Sequence, residues 1–321
     1  MTLLLMLALT ADPPPVTAGP GQAASANAAS FAANPPADLW APQIEPRRVV
    51  YNADAATREG KTRPLAYFVY DTLETGQVPN ATARPAIVFF HGGAWIGGKP
   101  EQFQEQSRHL AVLGMVAITV EYRLKSTDGV LAVDCVRDAW QAWDHVVDHA
   151  DELGIDRDRI AIGGGSAGGH IAACLGTGTI PPQTPGADGS DLTDVRPAVM
   201  VLFNPGLCFA PFEGYKPTSF ENGTVERMGI APKQLSPMHH LDAATPPTLI
   251  MHGTADDVIS VRSPSLFVER LQQYGTRAEL KRYPGQKHGF FNIGRQGNEP
   301  FYRTRGQMTE FLTSLGYLPA A

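Results

Sequence analysis

Gly163-Gly164-Gly165-Ser166-Ala167-Gly168-Gly169 decides how the chain is read, because of what flanks it. The apolar run Arg159-Ile160-Ala161-Ile162 enters the stretch, and His170-Ile171-Ala172-Ala173-Cys174-Leu175 leaves it with helical spacing. A serine on so sharp a strand-to-helix corner is held in a strained backbone conformation that lifts its hydroxyl clear of the sheet. Glycines two residues before and after it (Gly164, Gly168) remove the Cβ atoms that would collide with the turn. Two other glycine-rich turns compete with this reading. A phosphate-binding Walker loop would end in Gly-Lys-Ser/Thr, and none follows here. Gly163 to Gly168 fits Gly-x-Gly-x-x-Gly literally, but it lies mid-chain, whereas the dinucleotide fingerprint follows the first strand of its domain. The strand-corner-helix context favours an exposed nucleophilic serine.

A second strand supplies what such a serine needs. Pro85-Ala86-Ile87-Val88-Phe89-Phe90 runs into His91-Gly92-Gly93-Ala94-Trp95. Glycines after a strand let backbone N–H groups point into an open cleft, where each donor to a tetrahedral oxyanion is worth about 3–4 kcal/mol. The N–H of Ala167, immediately after the serine, is the matching donor from the other side.

The serine also needs a base, and the base needs a carboxylate to fix its tautomer. Besides the neighbouring His170, the histidines after Ser166 are His239, His240, His252 and His288. His288 follows the strand-like run 278–283 in the loop Pro284-Gly285-Gln286-Lys287-His288-Gly289-Phe290. The run Thr248-Leu249-Ile250-Met251-His252-Gly253-Thr254-Ala255-Asp256-Asp257 is again a buried strand, then a glycine turn, then an acid. Asp256 is the preferred carboxylate and Asp257 the alternative.

With these motifs the chain resembles the α/β-hydrolase superfamily, and within it the hormone-sensitive-lipase-like and acetyl-esterase-like bacterial carboxylesterases. The resemblance rests on His91-Gly92-Gly93-Ala94-Trp95, Glu121-Tyr122-Arg123-Leu124, Gly164 to His170, His252-Gly253-Thr254-Ala255-Asp256 and His288-Gly289-Phe290, in family order over residues 85–291. It implies Ser166 as nucleophile, Asp256 as orienting acid, His288 as general base, and Gly93, Ala94 and Ala167 as oxyanion donors. It also implies a serine carboxylesterase acting on small acyl esters, acetyl above all, with no metal or organic cofactor; export of the protein would suit carbohydrate esters as substrates. Ala94 stands where a third glycine is common, which a backbone donor tolerates. Gly165 stands where many relatives carry Asp or Glu. A serine peptidase or amidase of the same fold is the alternative, although the extra domain usual in prolyl-oligopeptidase relatives has no room here. A non-catalytic binder would be expected to lack a triad member or an oxyanion glycine.

Composition suits an enzyme domain: 43% of residues are hydrophobic, and the net charge is −6. The acidic balance and the lack of long basic runs argue against nucleic acid as partner. Three cysteines, Cys135, Cys174 and Cys208, are too scattered for a zinc site or a disulfide framework. The apolar run over 2–9 is too short to span a bilayer, so stable membrane insertion is not expected. It reads as the apolar region of a secretory signal, with small residues for cleavage near Ala11 or over 23–29, although a charged n-region is missing. The expectation is export to the periplasm or medium, or a cytoplasmic protein if this run is a misassigned start or a low-complexity tail. The Pro- and Ala-rich stretch over 11–46 reads as a linker, and 47–321 as the catalytic domain. Sequence does not indicate the oligomeric state.

From residue 47 onward strands are expected over 47–50, 66–70, 86–90, 115–121, 159–163, 198–203, 248–251 and 278–283. Helices are expected over 102–113, 130–153, 166–175, 261–273 and 299–315. The alternation predicts an α/β fold, a mostly parallel central sheet with helices on both faces. Insertions over 176–197 and 205–247 would roof the site, with Trp95, Phe209, Phe212 and Tyr215 as candidate substrate-binding residues. His91, His170, His239 and His240 read as structural, and Asp134 and Asp138 as positions on a helix face. The triplets Asn80-Ala81-Thr82 and Asn222-Gly223-Thr224 match a glycosylation signal but carry little weight.

Overall fold

Short runs of apolar residues can be buried on both faces only in a sheet sandwiched between helices, and the chain is built that way. A computed structural model describes residues 44–72, 83–184 and 194–320. The expected leader and its cleavage sites, Asn80-Ala81-Thr82 and part of the 176–197 insertion lie outside the described residues.

The strands are β1 Arg47–Ala56, β2 Thr62–Tyr70, β3 Arg84–Phe90, β4 Val116–Val120, β5 Ile155–Gly165, β6 Val199–Phe203, β7 Thr248–Gly253 and β8 Ala278–Tyr283. They form one sheet in the order β1-β2-β4-β3-β5-β6-β7-β8. β1 and β2 pair antiparallel, as do β2 and β4. The other pairings are parallel. This is the mostly parallel sheet expected from the sequence.

Alternation along the strands divides the core in two. Ile87 and Phe89 of β3 join Val199, Val201 and Phe203 of β6 in a cluster with Leu110 of α1 (Gln104–Val112). Ala86, Val88 and Phe90 join Met200 and Leu202 in the opposite cluster, against α2 (Ala132–Asp148), α3 (Ala167–Gly176) and α4 (Arg262–Gln273). A fifth helix, α5 (Glu299–Ser314), closes the first face through Met308, Phe311 and Leu312. Every residue of α3 is buried. Its small side chains permit this: a Cβ on Gly176 would meet the Met200 sulfur at 2.2 Å.

Two departures from the expected elements bear on the chain around the sheet. β1 and β2 run on as a hairpin turning through Thr57–Gly60, with Gly60 at φ +78°. The helix expected over 130–153 breaks at His149, whose Nδ1 lies 2.8 Å from the His145 carbonyl oxygen, before a separate turn at Ala150–Leu153. Apolar periodicity carries through the break, so it is invisible in the pattern. The 205–247 insertion is made of short turns held by Glu221. Its buried carboxylate accepts from the N–H groups of Leu207 (2.7 Å) and Cys208 (3.0 Å) and from the hydroxyls of Ser263 (2.6 Å) and Tyr215 (3.0 Å).

Asp134 and Asp138 do sit on α2. Asp138 is fully buried there, and it accepts the Arg123 guanidinium through both oxygens and the Arg123 N–H at 2.9 Å. This pair anchors the chain leaving β4 to α2. Removing one partner strands a buried charge, so Asp138→Ala is expected to cost about 3–5 kcal/mol of unfolding free energy. Chemical denaturation measures this; a loss below about 1 kcal/mol contradicts the anchoring role.

Candidate active site

Ser166 joins β5 to α3 at φ 54°, ψ −117°, a conformation that a non-glycine residue adopts only when its surroundings enforce it. The enforcement is steric and polar. The Ser166 N–H donates to the Phe203 carbonyl (2.9 Å), and its own carbonyl accepts from the His170 N–H (2.9 Å). A Cβ on Gly164 would meet the Gly168 carbonyl oxygen at 2.4 Å, and one on Gly168 would meet the Phe90 carbonyl oxygen at 2.0 Å. The corner is therefore closed to any larger residue at either position.

The structure brings Ser166, His288 and Asp256 together. The His288 Nε2 lies 2.9 Å from the Ser166 Oγ, and its Nδ1 lies 2.8 Å from the Asp256 Oδ2. An ionised carboxylate only accepts, so Nδ1 carries the proton and Nε2 is left to accept from the serine hydroxyl. The Asp256 side chain is fully buried, and its Oδ1 accepts from the N–H groups of Val258 and Ile259, both at 2.9 Å. Burial pushes its carboxyl up, but the hydrogen bond and charge of His288, the Ile259 N–H and the charge of His252 outweigh that and hold it below the ordinary carboxylate range. Asp257, the alternative acid, is exposed and makes no hydrogen bond to His288 among the described residues.

Beyond β3 the chain turns through Gly93 (φ +122°), Ala94 (φ 58°) and Trp95 (φ 61°). Among the described residues neither the Gly93 nor the Ala94 N–H donates to another protein group. The Ala167 N–H opens α3 and so has no intrahelical acceptor, at the end where the helix dipole favours negative charge. Ser166, His288, Gly93 and Ala94 line one cleft of about 250 Å³.

Several cleft residues carry no signal in the sequence. Gln102 accepts from the Gly92 N–H (2.6 Å) and donates to Asn292 (2.9 Å), which donates to the Gly289 carbonyl (2.9 Å). The loop bearing the free N–H groups is thus tied to the loop bearing His288. Asn204 accepts from the Gly289 N–H (3.1 Å), and Phe220 walls the cleft. The expected aromatic residues lie elsewhere. Phe209 is buried against Trp95 and His170, Phe212 packs on His239, and the Tyr215 hydroxyl donates to Glu221; none of the three lines the Ser166 cleft. Trp95 lines a neighbouring cleft instead. Among the described residues no cluster of side chains is suited to a metal ion, and His239 bonds Ser236 and Pro211.

Comparison with known proteins finds the same fold among esterases. The family defined by the alpha/beta hydrolase fold matches residues 87–292. The chain is 30% identical over 243 residues to the probable carboxylic ester hydrolase LipM of Mycobacterium tuberculosis, covering 65% of this chain and 50% of LipM. It is 28% identical over 263 residues to esterase LipC of the same organism, covering 77% of this chain and 60% of LipC. The chain thus spans about half to three-fifths of these curated relatives. Among solved structures it is similar to Thermogutta terrifontis esterase 2 phosphonylated by sarin, at 37% identity and TM-score 0.75, covering 87% of this chain and 98% of that one. The propionate-bound form of that esterase matches at 37% identity and TM-score 0.74, covering 87% and 97%.

Two histidines beside the site serve packing. His91 stacks on Tyr122 at 4.3 Å, and the His170 Nε2 lies 2.7 Å from the Leu235 carbonyl oxygen. Burial pushes both imidazoles down to about 4. The unfolded chain takes up these protons near 6.5, so each histidine contributes stability that is complete above that pH and lost as pH falls toward 4. In an NMR titration both rings are expected to stay neutral at about pH 5.5; a midpoint near 6.5 contradicts the buried, neutral assignment.

Proposed function

The chain belongs to the alpha/beta hydrolase family, and on that premise we propose that it is a serine carboxylesterase acting on small acyl esters through Ser166, His288 and Asp256. The observation that carries the reading is the unbroken chain from the Ser166 hydroxyl through His288 to Asp256, at 2.9 Å and 2.8 Å, in a cleft lined also by Gly93 and Ala94, whose N–H groups have no partner among the described residues. The esterase names of its relatives support it.

The Ser166 Oγ attacks the ester carbonyl carbon while its proton passes to the His288 Nε2. The carbonyl oxygen becomes an oxyanion held by the N–H groups of Gly93, Ala94 and Ala167. Collapse breaks the bond to the alcohol oxygen, which takes the proton from His288, and leaves the acyl group on Ser166. Water then attacks the acyl carbon, giving its proton to His288, and the Ser166 oxygen leaves as a hydroxyl by taking that proton back. Asp256 stays ionised throughout, orienting the ring and stabilising the imidazolium.

The propionate-bound form of the similar Thermogutta terrifontis esterase 2 supports a short acyl chain here, acetyl above all. Carbohydrate as the alcohol part, and export to the periplasm or medium, complete the proposal; the latter rests on the apolar run over 2–9.

Three expectations test it on 4-nitrophenyl esters from acetyl to long acyl. Activity falls with chain length; a preference for long chains contradicts the short-acyl reading. Ser166→Ala and His288→Ala each lower kcat by about four or more orders of magnitude. Asp256→Asn costs about 10⁴-fold, whereas Asp257→Asn leaves activity unchanged; the reverse ranking removes Asp256 from the site.

A further inference from the structure

Beside the Ser166 cleft lies a second one of about 230 Å³, which shares Ala94 with it and is lined also by Trp95, Lys125, Glu226 and Arg227. The partition between the clefts is aromatic. Phe220, which walls the Ser166 cleft, stacks on Trp95 at 4.9 Å. The Arg227 guanidinium lies over both rings, 4.3 Å from the centre of Phe220 and 4.9 Å from that of Trp95. Its Nη1 donates to the Phe220 carbonyl at 2.5 Å.

Arg227 is distinguished by what it does not hold. Arg63, Arg84, Arg108 and Arg123, similarly withdrawn from solvent, each grip a carboxylate within 2.8 Å. Among the described residues Arg227 has no carboxylate partner, although Glu226 stands next to it in the chain. A packing role alone explains the ring contacts, since an arginine stem covers apolar surface well. It does not explain a planar, five-donor group fixed at a cleft wall with no carboxylate partner among the described residues, where those other withdrawn arginines are neutralised. Two rings and one carbonyl hold the guanidinium in place, so little side-chain freedom remains to be lost on binding an anion.

We propose that this second cleft binds a carboxylate carried by the ester substrate, with Arg227 as the residue that recognises it. The inference rests on the esterase reading and adds the substrate's charge. The reacting carbonyl sits at Ser166 with its oxygen at the Gly93–Ala94 turn, and the charged end passes Ala94 to reach the guanidinium. Lys125 adds a second positive charge, and Glu226, exposed at the cleft, opposes the anion. The two acidic and basic contributions make Glu226 and Arg227 levers of opposite sign.

The test compares each charged ester with its neutral isostere. Phenyl hydrogen succinate against phenyl succinamate places the charge on the acyl side; 4-acetoxybenzoate against 4-acetoxybenzamide places it on the alcohol side. For one of the two pairs the wild-type protein is expected to favour the carboxylate in kcat/KM by about tenfold, a ratio typical of a charge-assisted pair, and the pair identifies which side faces Arg227. Arg227→Gln brings that ratio to about one, mainly through KM, and Glu226→Gln, at an exposed position, raises it. A preference that persists in Arg227→Gln, or falls in Glu226→Gln, overturns the assignment. Neutral esters hydrolysed with no preference for either carboxylate overturn it too while leaving the esterase reading intact. No hydrolysis of any of the four overturns the esterase reading itself.

Discussion

The constraint on which everything else depends is the backbone of Ser166. Its φ of 54° and ψ of −117° place the hydroxyl above the end of β5 and the Ala167 N–H beside it. Strain of this kind costs on the order of 1–3 kcal/mol and survives only where the surroundings over-determine it. Here they do so through β3. The backbone carbonyls of Phe90 and His91 press against Gly168, and Gly164 lies under the Gly168 carbonyl, so the corner and the loop after β3 are one packed unit. The same contact that bends the serine sets the distance between it and the Gly93–Ala94 turn. The Ser166 hydroxyl and the N–H groups of the Gly93–Ala94 turn are positioned by a single close approach of two glycine-rich backbones.

The rest of the site is hung from that unit by hydrogen bonds that cross the sheet. Gln102 and Asn292 join the loop after β3 to the loop after β8 over a sequence separation of 190 residues. Asn204, after β6, takes the Gly289 N–H. Asp256, after β7, is fixed by two backbone donors before it meets His288. Each link leaves the carboxyl end of a parallel strand, the edge at which an open α/β sheet binds its ligands. These links are only partly withdrawn from water, so each contributes modestly, about 0.5–1.5 kcal/mol, and together they hold the loops in register.

The sequence makes the parts of this site that depend on local chemistry legible. The elbow glycines, the turn after β3 and the histidine loop after β8 each declare themselves in five to seven residues, and the order of serine, acid and histidine follows the order of the strands. Asp256 and Asp257 are less separable in sequence, and burial and the contact with His288 distinguish them in the structure. What escapes is everything decided by long-range packing. Gln102, Asn204, Phe220 and Arg227 sit in loops or helices of a single turn, too short to show periodicity, and Gln102 and Asn204 act through partners far along the chain. An aromatic-rich insertion says nothing about which ring faces which cavity. Phe209, buried beneath Trp95, and Phe212, packed on His239, show how the composition of a loop misleads about its geometry.

Covalent capture tests whether Ser166 is the nucleophile. The protein is incubated with a 4-nitrophenyl phosphonate ester, with Ser166→Ala in parallel, and the adduct is mapped by peptide mass spectrometry. One phosphonyl group per chain is expected, on the peptide containing Ser166, with release of one equivalent of 4-nitrophenolate and no adduct on the variant. An adduct on another residue, or equal labelling of the variant, would contradict that role.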